Sequence, residues 1–195
     1  MIELQPPFRR AVRADAAALT ELVDFASEGF APYLWGNLAG PGGDAWAVGR
    51  ERVLRETGGF SYSNTTVIEQ GGRVVAGLVG YPLSDLPEPI PDDLPAMFRP
   101  LQELENLAPA TWYVNVLAAY PEQRDKGYGT ALLGLAERFA ADARRRGLSI
   151  IVSDTNTGAR RLYERCGYAE AARRAKVKEG WRNAGTAWVL LTKPA

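Results

Sequence analysis

The most chemically pointed stretch of the chain is PEQRDKGYGTALL, residues 121–133. Arg124 and Lys126 bring two full positive charges, Gly127 and Gly129 leave the backbone bare, and an apolar run with helical spacing follows at once. A helix N-terminus exposes unpaired N–H groups and a partial positive charge, and together these bind phosphate. Glycines let an anion come close to the main chain. Several N–H donors with two cations beside them suit a diphosphate. Two well-known nucleotide loops do not fit: Leu132 stands where a dinucleotide loop has its third glycine, and no Gly-Lys-Ser/Thr occurs. Taken alone, a G-x-G of this kind also describes an ordinary strand-to-helix turn with surface charges.

What is missing narrows the chemistry further. The 195 residues include no histidine and one cysteine, Cys166. Histidine-dependent triads and ordinary zinc sites are excluded, and no metal is expected. Proton transfer must use carboxylates, tyrosines, lysines or water. Cys166 reads as a small apolar residue on the inner face of a helix. One cysteine permits no internal disulfide and suits a reducing compartment. The start, MIELQPPFRR, lacks the apolar core of a signal peptide, and no run approaches a membrane span. A cytoplasmic, soluble protein is expected. The formal net charge is zero, which gives no global attraction for nucleic acid or an anionic membrane.

The elements that must position the loop can be read from periodicity and punctuation. FRRAV (8–12) is expected as a strand, and Asp15 as the N-cap of a helix with Leu19, Leu22, Val23, Ala26 and Phe30 on one face. After the turn at 39–44 comes a second helix, about 45–57. TTVIEQ and RVVAGLVGY flank Gly71-Gly72, the pattern of a β-hairpin. Residues 82–110 hold seven of the 13 prolines and six acidic residues against Arg99 alone. This stretch reads as an irregular, partly helical excursion rather than a linker, because a strand, 111–120, follows directly. The next helix carries Tyr128, Leu132, Leu135 and Phe139 on one stripe, with Arg144–Arg146 at its negative end and Gly147 as its stop. A strand at 148–154, a short helix capped by Asn156 and closed by Gly167, and strands near 169–178 and 187–192 complete a single α/β domain over 1–195.

Two motifs at their proper separation make the chain similar to the GNAT N-acetyltransferase superfamily. The family's diphosphate signature, Arg/Gln-x-x-Gly-x-Gly/Ala after a strand, is matched by Arg124, Gly127 and Gly129. A later signature is matched by Asn156, Ala159 and LYERCGY at 162–168. The resemblance is firm over about 111–169 and looser elsewhere. It implies a mixed, mostly antiparallel twisted sheet of six to seven strands with helices on both faces. It also implies a splayed parallel pair, here 112–120 and 148–154, that holds acetyl-CoA as cosubstrate.

Carried over position by position, the resemblance places Leu117, Ala118 and Ala119 along the pantetheine arm. Arg124, Asp125, Lys126, Gly127, Tyr128, Gly129 and Thr130 surround the diphosphate. Asn156 contacts the cofactor, Tyr163 points at the thioester sulfur, and the Leu117 amide serves as oxyanion donor. A phenol of pKa ~10 protonates a thiolate of pKa ~8.5 only uphill, by about 2 kcal/mol, so Tyr163 acts first by hydrogen bonding.

Two departures stand out. Asp125 occupies a position that is often glycine. The two strand positions where relatives place a catalytic glutamate hold Tyr113 and Ile151. The proton of the acceptor amine is then expected to pass to Glu103, Glu105 or a water chain ending near Asn115. Residues 121–178 carry 13 basic residues against seven acidic ones. That half suits the phosphates, which leaves the acidic excursion to face a cationic acceptor. The implied activity is direct acetyl transfer to the amine of a small molecule. The alternatives are a peptide or protein acceptor, or a non-catalytic acyl-CoA sensor. Oligomeric state stays open, with a homodimer among the options.

Overall fold

The computed structural model describes residues 2–195. Seven strands are formed: β1 (Phe8–Arg10), β2 (Thr65–Gln70), β3 (Arg73–Pro82), β4 (Trp112–Ala119), β5 (Gly147–Ser153), β6 (Ala169–Ala175) and β7 (Ala187–Pro194). The helices are α1 (Ala16–Ser27), α2 (Phe30–Ala39), α3 (Ala45–Val53), α4 (Arg99–Glu105), α5 (Tyr128–Asp142) and α6 (Thr157–Arg165). Strand order in the sheet is β1-β2-β3-β4-β5-β7-β6. The β4–β5 pair is parallel; the β1–β2, β2–β3, β5–β7 and β6–β7 pairs are antiparallel. This is the mixed, mostly antiparallel α/β architecture expected. Contacts divide the chain into two compact units, 1–80 with 115–132, and 81–114 with 133–195.

In the first unit, β2 and β3 form the expected hairpin, with Gly71 at φ 57° and Gly72 at φ 76°. Both angles lie in the left-handed region that a two-residue turn of this hand requires. Leu19 and Leu22 of α1 pack with Val53 and Val67, joined by Phe25, Phe60 and Tyr62. A second cluster gathers Val23, Ala31, Trp35, Val79 and Val116. Each such aliphatic side chain, fully buried, contributes about 1.5–3 kcal/mol.

Asp15 stands at the N-cap position of α1 but makes no side-chain cap bond there. Its carboxylate instead accepts from Arg9, at 2.7 Å and 2.9 Å, and from the Val12 amide. Helix α1 stops earlier than its apolar stripe suggested, because Glu28 and Gly29 adopt positive φ. Phe30 therefore opens a separate helix, α2, that periodicity did not separate from α1. The helix expected at 45–57 ends at Val53, and the first strand ends at Arg10 rather than residue 12.

In the second unit, Trp112↔Leu148, Tyr113↔Ser149 and Val114↔Ile150 are the parallel partners of β4 and β5. Strand β7 lies antiparallel to β5 from Gly147↔Pro194 to Ser153↔Trp188. Helix α4 packs onto this sheet, with Leu104, Ala108 and Leu190 buried against Ile151, Ala172 and Trp188.

The proline-rich stretch is pinned rather than loose. The Leu83 amide donates to the Thr111 carbonyl, and the Ala110 amide to that of Ser84. Arg145 reaches Asp85 at 2.6 Å. Helix α5 does not run to Gly147. It closes at Arg144, φ 52°, with the Arg145 amide bonded to the Ala140 carbonyl and the Arg144 amide to that of Ala141. Those two bonds make a Schellman ending with arginine in the left-handed position. Strand β5 begins three residues later, at Gly147. Among the described residues, no helix is long and apolar enough to cross a membrane.

Candidate active site

The loop expected to hold a diphosphate leaves β4 through a short 3₁₀ turn, Pro121–Gln123. Arg124, Asp125, Lys126 and Gly127 are all exposed. The first bond of the α5 ladder is donated by the Ala131 amide to the Gly127 carbonyl, at 3.0 Å. The amides of Tyr128, Gly129 and Thr130 precede that ladder, so they are the donors a helix start offers to an anion. Gly127 has φ +82°, and a Cβ built there would meet nothing within 4 Å. The space beside this backbone is open, as a close approach requires.

Gly129, expected in the loop, is instead the second residue of the helix. Asp125 also sits at φ 59°. Glycine is the favoured residue in that conformation, which gives a backbone reason for the glycine that relatives often carry there. Lys126 donates to the Gln123 side-chain carbonyl at 2.8 Å.

Upstream of the loop, Leu117, Ala118 and Ala119 are half-buried on β4, as is Asn115. Ala118 packs toward the Leu22 and Val67 cluster. A cavity of about 680 Å³ opens between the start of α1, the hairpin tip and residues 120–123. Its carboxylates, Glu21, Glu122 and Asp15, face a single cation, Arg73. That sign is wrong for phosphate, so the cavity is not the cofactor's anionic end.

In the second unit, Asn156 does cap α6, its Oδ1 accepting from the Ala159 amide at 3.1 Å. The helix closes through the Tyr168 amide on the Tyr163 carbonyl and the Gly167 amide on that of Glu164. Tyr163 is 5% exposed, and burial raises its phenol above the ordinary value. A phenol that holds its proton this firmly donates a hydrogen bond rather than ionising. Its ring lies 6.0 Å from that of Tyr168. The Tyr168 hydroxyl is buried with no hydrogen-bond partner among the described residues. Cys166 is the half-buried C-cap of α6 rather than a fully buried core residue.

The expected base candidates separate clearly. Glu103 is held by Arg174 of β6 at 2.8 Å, with both side chains part-exposed. It is an ion-pair residue, not a free base. Glu105 lies half-buried at the end of α4. Desolvation, then the charge of Glu88, push its carboxyl up to about 7. Glu88 is tied down by Asn106, which accepts from the Glu88 amide at 2.9 Å and donates to its carbonyl at 2.8 Å.

Burial and then the charges of Glu105 and Glu88 raise the Tyr81 phenol. The Tyr81 ring meets Tyr113 edge-on, centroids 5.6 Å apart. Tyr81 carries no mark in the sequence, and Glu88 entered only as one of the six acidic residues of 82–110. Tyr81 is simply the last aromatic of an apolar strand, and no local spacing marks it. With Asp85 and Glu103 paired to arginines, the acidic excursion is less free to gather a cation than its charge count suggested. Among the described residues, no cluster of three or more His, Cys, Asp or Glu could hold a metal.

Residues 35–168 match the model of the acetyltransferase (GNAT) family. An N-acetyltransferase from Staphylococcus aureus Mu50 superposes with a TM-score of 0.62 at 15% identity, covering 95% of this chain and 98% of that one. A ribosomal-protein-alanine N-acetyltransferase from Brucella melitensis gives 0.57 at 20% identity, covering 96% and 99%. A GNAT family acetyltransferase from Elizabethkingia anophelis with acetyl-CoA bound gives 0.50 at 17% identity, covering 67% and 75%. At these identities the likeness speaks for the fold alone. No curated protein sequence matches the chain.

Proposed function

The chain belongs to the acetyltransferase (GNAT) family, and from that premise we propose that it transfers acetyl from acetyl-CoA directly to the amine of a small molecule. The observation that carries the reading is the start of α5. Amides 128–130 stand ahead of the helical ladder, Gly127 leaves the backbone open, and Arg124 and Lys126 flank it exposed. Each dipole contact contributes about 0.3–1 kcal/mol, and up to ~2 when partly buried. A diphosphate that meets several of them is held well. The structure of a family relative with acetyl-CoA bound supports the same ligand.

When bound, acetyl-CoA supplies an acetyl group activated as a thioester. The loop 124–130 orients it, and the Leu117 amide polarises the acetyl carbonyl. Asn156 fixes the start of α6, and the Tyr163 hydroxyl donates a hydrogen bond as charge builds on sulfur. The family match runs through both compact units, which supports reading 1–195 as one domain.

A small acceptor is favoured over a peptide by the packing of α4. Tyr113, Ser149 and Ile151 share one face of the parallel pair by strand alternation. Leu104 and Ala108 cover Ile151 on that face. A covered face suits a compact amine better than an extended chain.

Calorimetry with CoA and acetyl-CoA tests the loop. The two should bind with similar strength, and Gly129→Val, which sets a branched side chain where phosphate must approach, should abolish binding with the fold intact. Undiminished binding by that variant removes the assignment.

A further inference from the structure

An acceptor amine reaches the site as an ammonium, because a primary amine of pKa ~10.4 is almost wholly protonated at neutral pH. Some group must take that proton before nitrogen can attack. The chain has no histidine. Both strand positions expected to hold a glutamate are committed to packing: Tyr113 is 4% exposed against Tyr81, and Ile151 lies under Leu104 and Ala108. The element that covers their face brings its own carboxylate. From the packing of α4 over Ile151, from the place of Glu105 at its last turn and from the clamping of the Glu88 backbone by Asn106, we infer that Glu105 is the general base of this enzyme. The inference rests on the acetyltransferase reading above.

The proton balance is simple. The Glu105 carboxylate takes one proton from the ammonium and later releases it to solvent. The freed nitrogen lone pair forms the bond to the acetyl carbon, and the carbon–sulfur bond breaks. The second nitrogen proton ends on the sulfur, so the products are an amide and a thiol.

The surroundings suit this task. Glu88, from the pinned proline-rich segment, is the charge that acts on Glu105, and burial is the larger influence. Tyr81 of β3 is close enough for Glu105 to raise its phenol. Glu103 on the same helix is neutralised by Arg174 of β6. No hydrogen bond or ion pair among the described residues engages the Glu105 carboxylate, so it is free to accept a proton. A carboxyl near 7 is about half ionised at neutral pH, the balance that favours general-base catalysis.

Two readings on the intact protein test the inference. Carbon-detected NMR should show the Glu105 carboxyl titrating near 7 without any ligand. In steady-state assays with a primary amine, Glu105→Gln should lower kcat/KM by about 10²–10⁴ and remove the acidic limb of the pH profile. Acetyl-CoA affinity by calorimetry should stay within about twofold, since base and cofactor contacts are separate interactions. Glu105→Asp should restore part of the rate with a shifted limb, and Glu103→Gln should leave the limb in place. A wild-type profile in Glu105→Gln, or titration of Glu105 in the ordinary carboxylate range, overturns the base while leaving the acetyltransferase reading intact. Wild-type protein that binds acetyl-CoA yet acetylates no amine overturns both.

Discussion

Glu105 should leave a mark on stability that needs neither cofactor nor substrate. Its carboxyl is raised from 4.5 to about 7 in the folded protein, chiefly by desolvation and then by Glu88. Between those two values the folded state holds more protons than the unfolded chain, so stability falls as pH rises through this window. Above it the full penalty of a buried charge persists. A shift of this size corresponds to at most about 3 kcal/mol, at 1.36 kcal/mol per pH unit.

Glu105→Gln keeps the shape of the protonated acid and cannot ionise. Urea unfolding of wild type and variant should therefore coincide near pH 4 and diverge above about pH 7, with the variant more stable by up to about 3 kcal/mol and unchanged m-values. A gap of the same size at both ends, or a variant less stable at high pH, would refute the reasoning. Either result would mean that Glu105 is solvated or paired.

Asn156→Ala removes the bond from the Ala159 amide, and should lower unfolding stability by ~1 kcal/mol in denaturant titrations, with serine recovering most of it. Asp125→Asn keeps a residue tolerant of positive φ but removes a negative charge beside the expected diphosphate. Calorimetry should show tighter CoA binding at low salt, the gain fading as the Debye length shrinks to about 3 Å near 1 M. Tyr163→Phe should lower kcat with little change in acetyl-CoA affinity, because the bond to sulfur matters most as charge develops there.

Much of the fold was legible because its signals are local. Gly71-Gly72 between two β-branched runs reads as a hairpin, and Asn156 three residues before Ala159 reads as a cap; both occur as read. The turn that leads into α5 was legible for the same reason, since its signal lies in the spacing of one short stretch. What sequence did not mark was decided by backbone angles and by distant contacts. Arg144 ends α5 in a conformation usually left to glycine, so Gly147 looked like the stop when it already begins β5. Gly29 and Glu28 split one apolar stripe into two helices. In sequence Glu105 was one of three candidates for the proton; what sets it apart, desolvation by the packing of α4 and then the charge of Glu88, 17 positions away, is tertiary. Glu103, two residues earlier, looked equivalent until Arg174 of β6 was seen to hold it.

The central claim is that this chain transfers acetyl from acetyl-CoA to an amine. Thiol release from acetyl-CoA, followed over a panel of primary amines and short peptides with mass analysis of the products, tests it most directly. Release should require an amine, yield an N-acetylated product and be stronger with compact amines than with peptides. Binding of acetyl-CoA with no amine-dependent release from any acceptor would contradict it.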